Sequence, residues 1–173
     1  MPRTFTTVRE LLHWEYAKLI AESAVGSRKD FAFVQHSFKK LEASKLSPSS
    51  ILRENKLLVK SGQHCSYCGA AENLHWEHIV PLSLNGPDTI DNQVLACAKC
   101  NLSKGARDPY QWYGSQRADE IPRLVLGKLL KIYYETYDAK GLLDNAQYFT
   151  EQSVERINLY RVFSVDQKIL HQT

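Results

Sequence analysis

At both ends of this chain apolar side chains recur every three or four residues, and between residues 64 and 109 that rhythm stops. Val8, Leu11, Leu12, Tyr16, Leu19 and Ile20 mark one face of a first helix. Thr7-Val8-Arg9-Glu10 reads as a capping box that opens it, and Gly26 follows its end. A second helix starts near Asp30, with Phe31, Val34, Phe38 and Leu41 on one face. Ser47-Pro48 signals a third, striped by Ile51, Leu52, Leu58 and Val59 and ended by Gly62. After Trp112-Tyr113-Gly114 the helical rhythm returns. Pro122 precedes Leu124, Leu126, Leu129, Leu130, Tyr133, Tyr134 and Tyr137, and Gly141 closes the run. The last thirty residues predict a short helix and a short strand at residues 160–163. These stripes are read as core, because a helix of marginal propensity is held by burying one face.

The middle of the chain predicts different elements. Residues 74–79 read as a strand, Asn85-Gly86-Pro87-Asp88 as a turn, residues 93–96 as a returning strand, and residues 98–105 as a short helix ended by Gly105. The expected class is therefore α+β, mainly helical. A small central hairpin-and-helix unit (residues 61–114) sits between a helical N-terminal part (1–60) and a helical C-terminal part (115–173), all in one compact domain.

Composition narrows the function only slightly. The net charge is +3, but residues 1–64 hold 11 Lys/Arg against 6 Asp/Glu, while the remainder holds 11 against 13. A mildly basic N-terminal part suits phosphate contacts, and it equally suits a solvated helix face. No apolar run is long enough to span a bilayer, which predicts a protein that is not in the membrane and is cytoplasmic.

All four cysteines lie between residues 65 and 100, as Cys65-x2-Cys68 and Cys97-x2-Cys100. In a reducing compartment such matched pairs point to metal rather than disulfides. Four thiolates make a closed tetrahedral zinc site, with no position left for substrate. Zinc is thus expected to act as scaffold.

Between and after the knuckles stand His75-Trp76-Glu77-His78-Ile79-Val80-Pro81, Ile90-Asp91-Asn92-Gln93-Val94-Leu95 and Cys100-Asn101-Leu102-Ser103-Lys104-Gly105. Over about residues 60–109 this order resembles the HNH endonuclease family, whose fold is the ββα-metal motif. The resemblance implies hydrolysis of phosphodiester bonds, most often in DNA. It assigns a divalent metal, Mg²⁺ or Mn²⁺, to Glu77 and Asn101, and makes His78 the general base that activates water. Asn92 would hold the loop that orients His78. Lys104, one turn after Asn101 on the same helix face, would reach a phosphate. Carboxylate and amide oxygens are hard donors that suit such ions, and imidazole can take a proton at neutral pH. Two features depart from the common pattern: Glu77 stands where many members carry Asp, and Asn101 where others carry His.

His75 shares a strand face with Glu77 and is read as structural. Trp76 and Trp112 are read as packing over the small zinc core. Glu77 and His78 are neighbours, so a regular strand sends them to opposite faces. The strand must therefore end, twist or bulge there for both to serve one site. Alternative functions are a non-catalytic zinc module that binds nucleic acid or protein, and an RNA-cutting toxin-like nuclease. A single site nicks one strand, so a double-strand cut requires a homodimer or a partner protein. The context suggested is phage or defence.

Overall fold

The computed structural model describes residues 3–44 and 63–165. The expected third helix, from Ser47 to Gly62, lies outside them. The described chain runs α1 (Val8–Val25), α2 (Phe31–Glu42), β1 (Leu74–His78), β2 (Gln93–Cys97), α3 (Ala98–Lys104), α4 (Pro109–Arg117), α5 (Arg123–Ala139) and α6 (Ala146–Glu151), with short 3-10 turns between. It is a mainly helical α+β fold with one two-stranded sheet.

α1 begins where Thr7 Oγ accepts from the amide of Glu10 at 3.2 Å. The return bond is displaced by one residue: Glu10 Oε2 accepts from the amide of Thr6 at 2.7 Å, and from its hydroxyl. The helix ends on Gly26 at φ 73°, where a Cβ would strain the backbone. α1 packs against both α2 and α5. Val8, Leu11, Leu12, Tyr16 and Leu19 are buried as their spacing predicts, but so are His13, Glu15 and Lys18. α2 buries Val34, Phe38 and Leu41, whereas Phe31 is 64% exposed at its first turn. That corrects the expectation that all four share the core face.

α5 supplies, with α1, a large share of the core: Val125, Leu126, Leu129, Leu130, Tyr133 and Tyr137 are all buried. Each such side chain contributes about 1.5–3 kcal/mol by leaving water. α4 was not expected, since the sequence reading resumed helix only after Trp112-Tyr113-Gly114. Asp108 and Gln111 form a reciprocal capping box and Pro109 takes the first helical position. The strand expected at residues 160–163 is instead a 3-10 segment, Arg156–Ser164. It is held by its carbonyls: Tyr137 Oη donates to Leu159 O at 3.1 Å, and Lys140 Nζ donates to Val162 O at 2.7 Å and Val165 O at 2.6 Å.

The hairpin pairs β1 antiparallel to β2, from Leu74 opposite Cys97 to His78 opposite Gln93. α5 grips its far end. Lys128 Nζ donates to Ile90 O at 3.1 Å and Gln93 O at 2.6 Å, and Lys131 meets Asp91 at 2.9 Å. Among the described residues, no helix is long and apolar enough to cross a membrane.

Candidate metal centre and nuclease site

The two C-x2-C turns close on each other behind the hairpin. The Sγ atoms of Cys65, Cys68, Cys97 and Cys100 all lie within 4.8 Å of one another. Cys68 Sγ and Cys97 Sγ are 3.7 Å apart, against about 3.8 Å for the edge of a tetrahedron with zinc–sulfur bonds near 2.3 Å. Backbone bonds shape the pocket: Gly69 N donates to Cys65 O at 2.9 Å, and Ser66 N to Leu95 O at 2.7 Å. Gly69 itself sits at φ 77°. Cys97 Sγ caps α3 by accepting from the amide of Cys100 at 3.5 Å. Burial opposes the thiolate of Cys65, but amides of Cys97, Cys68 and Tyr67 outweigh it and draw its pKa down to about 7. Four thiols aimed at one point can hold a metal ion, and the donor set is that of a soft or borderline one.

The loop between the strands is stapled by Asn92, which is fully buried. Its Oδ1 accepts from Val80 N at 2.9 Å, and its Nδ2 donates to Val80 O and Pro87 O, both at 2.8 Å. Gly86 lies under the same strand exit. A Cβ there would sit 2.2 Å from Val80 O, so only hydrogen fits.

β1 ends at His78 without a bulge, and Glu77 and His78 consequently take opposite faces. Glu77 turns inward toward α3 and is 6% exposed. Its Oε1 contacts the ammonium of Lys104, yet neither carboxylate oxygen receives a well-directed hydrogen bond. Lys104 also donates to His78 O at 3.0 Å. Lys104 is 1% exposed, which corrects the expectation that it reaches a phosphate. Burial lowers its pKa against the pull of Glu77. The Tyr67 hydroxyl is buried near Glu77, and its pKa is raised first by burial and then by that carboxylate. Asp108 is buried close to Lys104 and accepts from Tyr133 Oη; burial raises its pKa. Asn101 is half-buried on α3, one turn before Lys104.

His78 keeps a quarter of its side chain in solvent. Its Nε2 is 2.9 Å from Asp88 Oδ1 and 3.3 Å from the Gln93 side-chain amide. A carboxylate accepts only, so the shorter contact favours hydrogen on Nε2 and the lone pair on Nδ1, whereas the longer one, from the donor Gln93 Nε2, calls for the opposite tautomer. Asp88 was missed as a site residue from the sequence; its signal was the turn that carries it back beside the strand end. Trp76 shares the His78 face and is 59% exposed, which corrects its reading as packing over the zinc core. His75 is exposed. Trp112 does pack there, edge-on to Tyr67 at 5.1 Å between ring centres.

Residues 65–107 match the family model for HNH endonuclease. These residues form an HNH domain. The chain is also similar to CRISPR-associated endonuclease Cas9 1 of Streptococcus thermophilus (strain ATCC BAA-491 / LMD-9), with 32% identity over 81 residues. That match covers 37% of this chain and 7% of the relative, so the chain spans a small fraction of the relative's length. No solved structure matches the chain. The arrangement around the HNH hairpin brings Glu77, Lys104 and the helix carrying Asn101 together. It sets His78, Asp88 and Gln93 on the other side of the strand.

Proposed function

We propose that this protein is an endonuclease that hydrolyses phosphodiester bonds of DNA, with His78 as the general base. The observation that carries this is the half-open imidazole at the end of β1, fixed through Nε2 by Asp88 and through its own carbonyl by Lys104. A base held from both sides keeps one orientation as substrate arrives. Nδ1 is then free to accept the proton of an attacking water. Trp76, two residues earlier on the same face, lies about 7 Å along the strand. It is placed to meet a nucleotide next to the bond being cut.

Glu77 and Asn101 are proposed to hold a divalent ion, Mg²⁺ or Mn²⁺. The buried Glu77 carboxylate already draws a cation, the Lys104 ammonium, and the oxygen donor set fits a hard metal ion. For an ion bound there to supply positive charge to the developing phosphorane and the leaving oxygen, the scissile phosphate has to sit at the end of β1, since Glu77 and His78 take opposite faces of the strand. Since Glu77 already neutralises Lys104, metal and ammonium compete for one carboxylate. The cysteine cluster is proposed to hold structural Zn²⁺. Asn92 acts through the backbone of Val80 and Pro87, not on substrate. A homodimer or partner would be needed for a double-strand cut.

The test is cleavage of defined duplex DNA with Mg²⁺ or Mn²⁺, comparing wild type with His78→Ala, and RNA as a parallel substrate. Loss of about 10²–10⁴-fold in rate is expected for the variant, with retained fold. Equal rates in the two proteins would eliminate His78 as base. Preferential cleavage of RNA would replace the DNA assignment.

A further inference from the structure

Arg3, Lys18, Arg28 and Lys29, four of the cations of residues 1–64, line one cavity outside the HNH motif. The cavity, of about 380 Å³, opens between α1, the start of α2, and the segments carrying Asp119 and Arg156. That volume falls within the range of about 300–1,000 Å³ usual for small-molecule sites. Its walls differ in character. One is aromatic: Trp14 and Phe31 stand 6.0 Å apart between ring centres, tilted by 58°, and Phe31 is 64% exposed. Arg3 lies over Trp14 on that side, 5.1 Å from the ring centre. The opposite wall is ionic. Lys18 bridges Glu15 at 2.8 Å and Asp119 at 2.5 Å, and Arg156 approaches the same two carboxylates at 3.6 and 3.7 Å.

The charges do not cancel. Five cationic side chains line the cavity against two carboxylates. Arg28 is spent on Glu22 and on the carbonyls of Asp119 and Ile121. Lys29 carries no ion pair among the described residues and stands exposed beside Phe31. A large aromatic ring left in water at a cavity mouth, next to an uncommitted ammonium, suits a ligand with a flat apolar face and a negative group. Nucleobases stack on such rings in a sequence-tolerant way, worth about 1–3 kcal/mol per base, and phosphates attract nearby lysines.

We propose that this cavity binds one nucleotide unit, its base stacked on the exposed Phe31 and its phosphate held by Lys29. The unit has two sources, a free mononucleotide or one nucleotide of a DNA strand. The site is separate from the HNH hairpin, so its existence does not depend on catalysis. It gives the helical N-terminal part a role in holding nucleic acid.

The experiment is calorimetric titration of the full chain with dAMP and with a single-stranded tetranucleotide, without added divalent metal. Wild type, Phe31→Ala, Lys29→Glu and His78→Ala are compared. Phe31 and Lys29 are exposed, so both variants should keep the wild-type Tm. Expected is binding to wild type and His78→Ala with equal Kd, and a weakening of at least fivefold in Phe31→Ala and in Lys29→Glu. A tetranucleotide at least tenfold tighter than dAMP identifies a strand as source; comparable affinities identify the free nucleotide. Wild-type Kd in both pocket variants, or no binding of either probe up to millimolar concentration, overturns the proposal. So does loss of binding confined to His78→Ala, which places the probes at the HNH domain. A protein that binds here yet cleaves nothing would sink the nuclease reading and leave this one standing.

Discussion

Lys104 is the residue whose role changes most between chain and fold. Its position three after Asn101 suggests a surface cation at a helix end. The structure buries it against Glu77, within hydrogen-bond reach of His78 O. Removing one partner of a buried ion pair costs about 3–5 kcal/mol, because the other is left uncompensated. Lys104→Met should therefore be less stable than wild type without metal. If Glu77 is a metal ligand, Mn²⁺ should raise the Tm of this variant more than that of wild type, since no ammonium competes. Equal Tm responses to Mn²⁺ in the two proteins would argue against Glu77 as ligand. Gly86 makes a second residue-scale case. Any side chain there meets Val80 O, the acceptor that Asn92 uses to hold the strand exit. Gly86→Ala should cost about 1–3 kcal/mol from overpacking. It should also lower the cleavage rate tenfold or more, as His78 loses its setting. Denaturant unfolding and single-turnover rates measure both, and a stable, fully active variant would contradict the account.

At the scale of elements, the hairpin and α3 are too small to carry a core of their own. Behind β2 lies a cluster of only Cys65, Ala96 and Cys97, with Tyr67, Leu74 and Cys100 packed against it. A metal ion is the natural clamp for so little apolar surface. One Zn²⁺ per chain is expected by elemental analysis. Removing it with a strong chelator, or changing Cys97→Ser, should melt β1, β2 and α3 while the core between α1, α2 and α5 persists. Hydrogen exchange would show this as loss of protection confined to residues 65–105; unchanged protection there would rule out a structural metal. The elements themselves were largely legible. Two cysteine knuckles, a turn at Asn85-Gly86-Pro87-Asp88 and a glycine after Lys104 mark the hairpin and its helix from local chemistry alone. α4 was not read as a helix although its signals were present, with Asp108, Pro109 and Gln111 at N-cap, first and third helical positions. The 3-10 segment at residues 156–164 also carried a local start signal, the Glu155–Asn158 capping box, which the sequence reading passed over. Its apolar residues resemble a strand, and carbonyl contacts with Tyr137 and Lys140, over 20 residues away, decide otherwise.

Across the whole molecule, long-range polar ties join the helical parts to one another and to the site. Arg9 at the start of α1 reaches Asp144 with two bonds of 2.7 and 2.8 Å. The hydrogen bonds from Arg9 hold the Asp144 carboxyl below its ordinary value. A carboxyl with a lowered folded-state pKa adds stability above its ordinary pKa of 3.8, and loses it as pH falls through the lowered value. Asp144→Asn should thus lower the Tm at pH 7 by about 1–3 °C, a small effect because the pair is exposed. The difference should vanish once the pH is well below 3.8. A gap that persists there would show that the tie is not electrostatic. In the same way Lys128 and Lys131 of α5 hold the loop that carries Asn92, so the helical parts help to set the HNH hairpin.

What the chain determined by itself was whatever depends on neighbours within a few residues: helix stripes and caps, cysteine knuckles, the turn, and the order of Glu77, His78, Asn92 and Asn101. Strand alternation even implied that Glu77 and His78 would part. Only the tertiary structure decided where each went, because burial is a property of the packed whole. It placed Glu77 with Lys104 in the interior, His78 with Asp88 at the surface, and Trp76 and Phe31 in water instead of core. Periodicity tells which residues share a face. Which face meets another element depends on contacts between segments distant in the chain, and no local pattern encodes them.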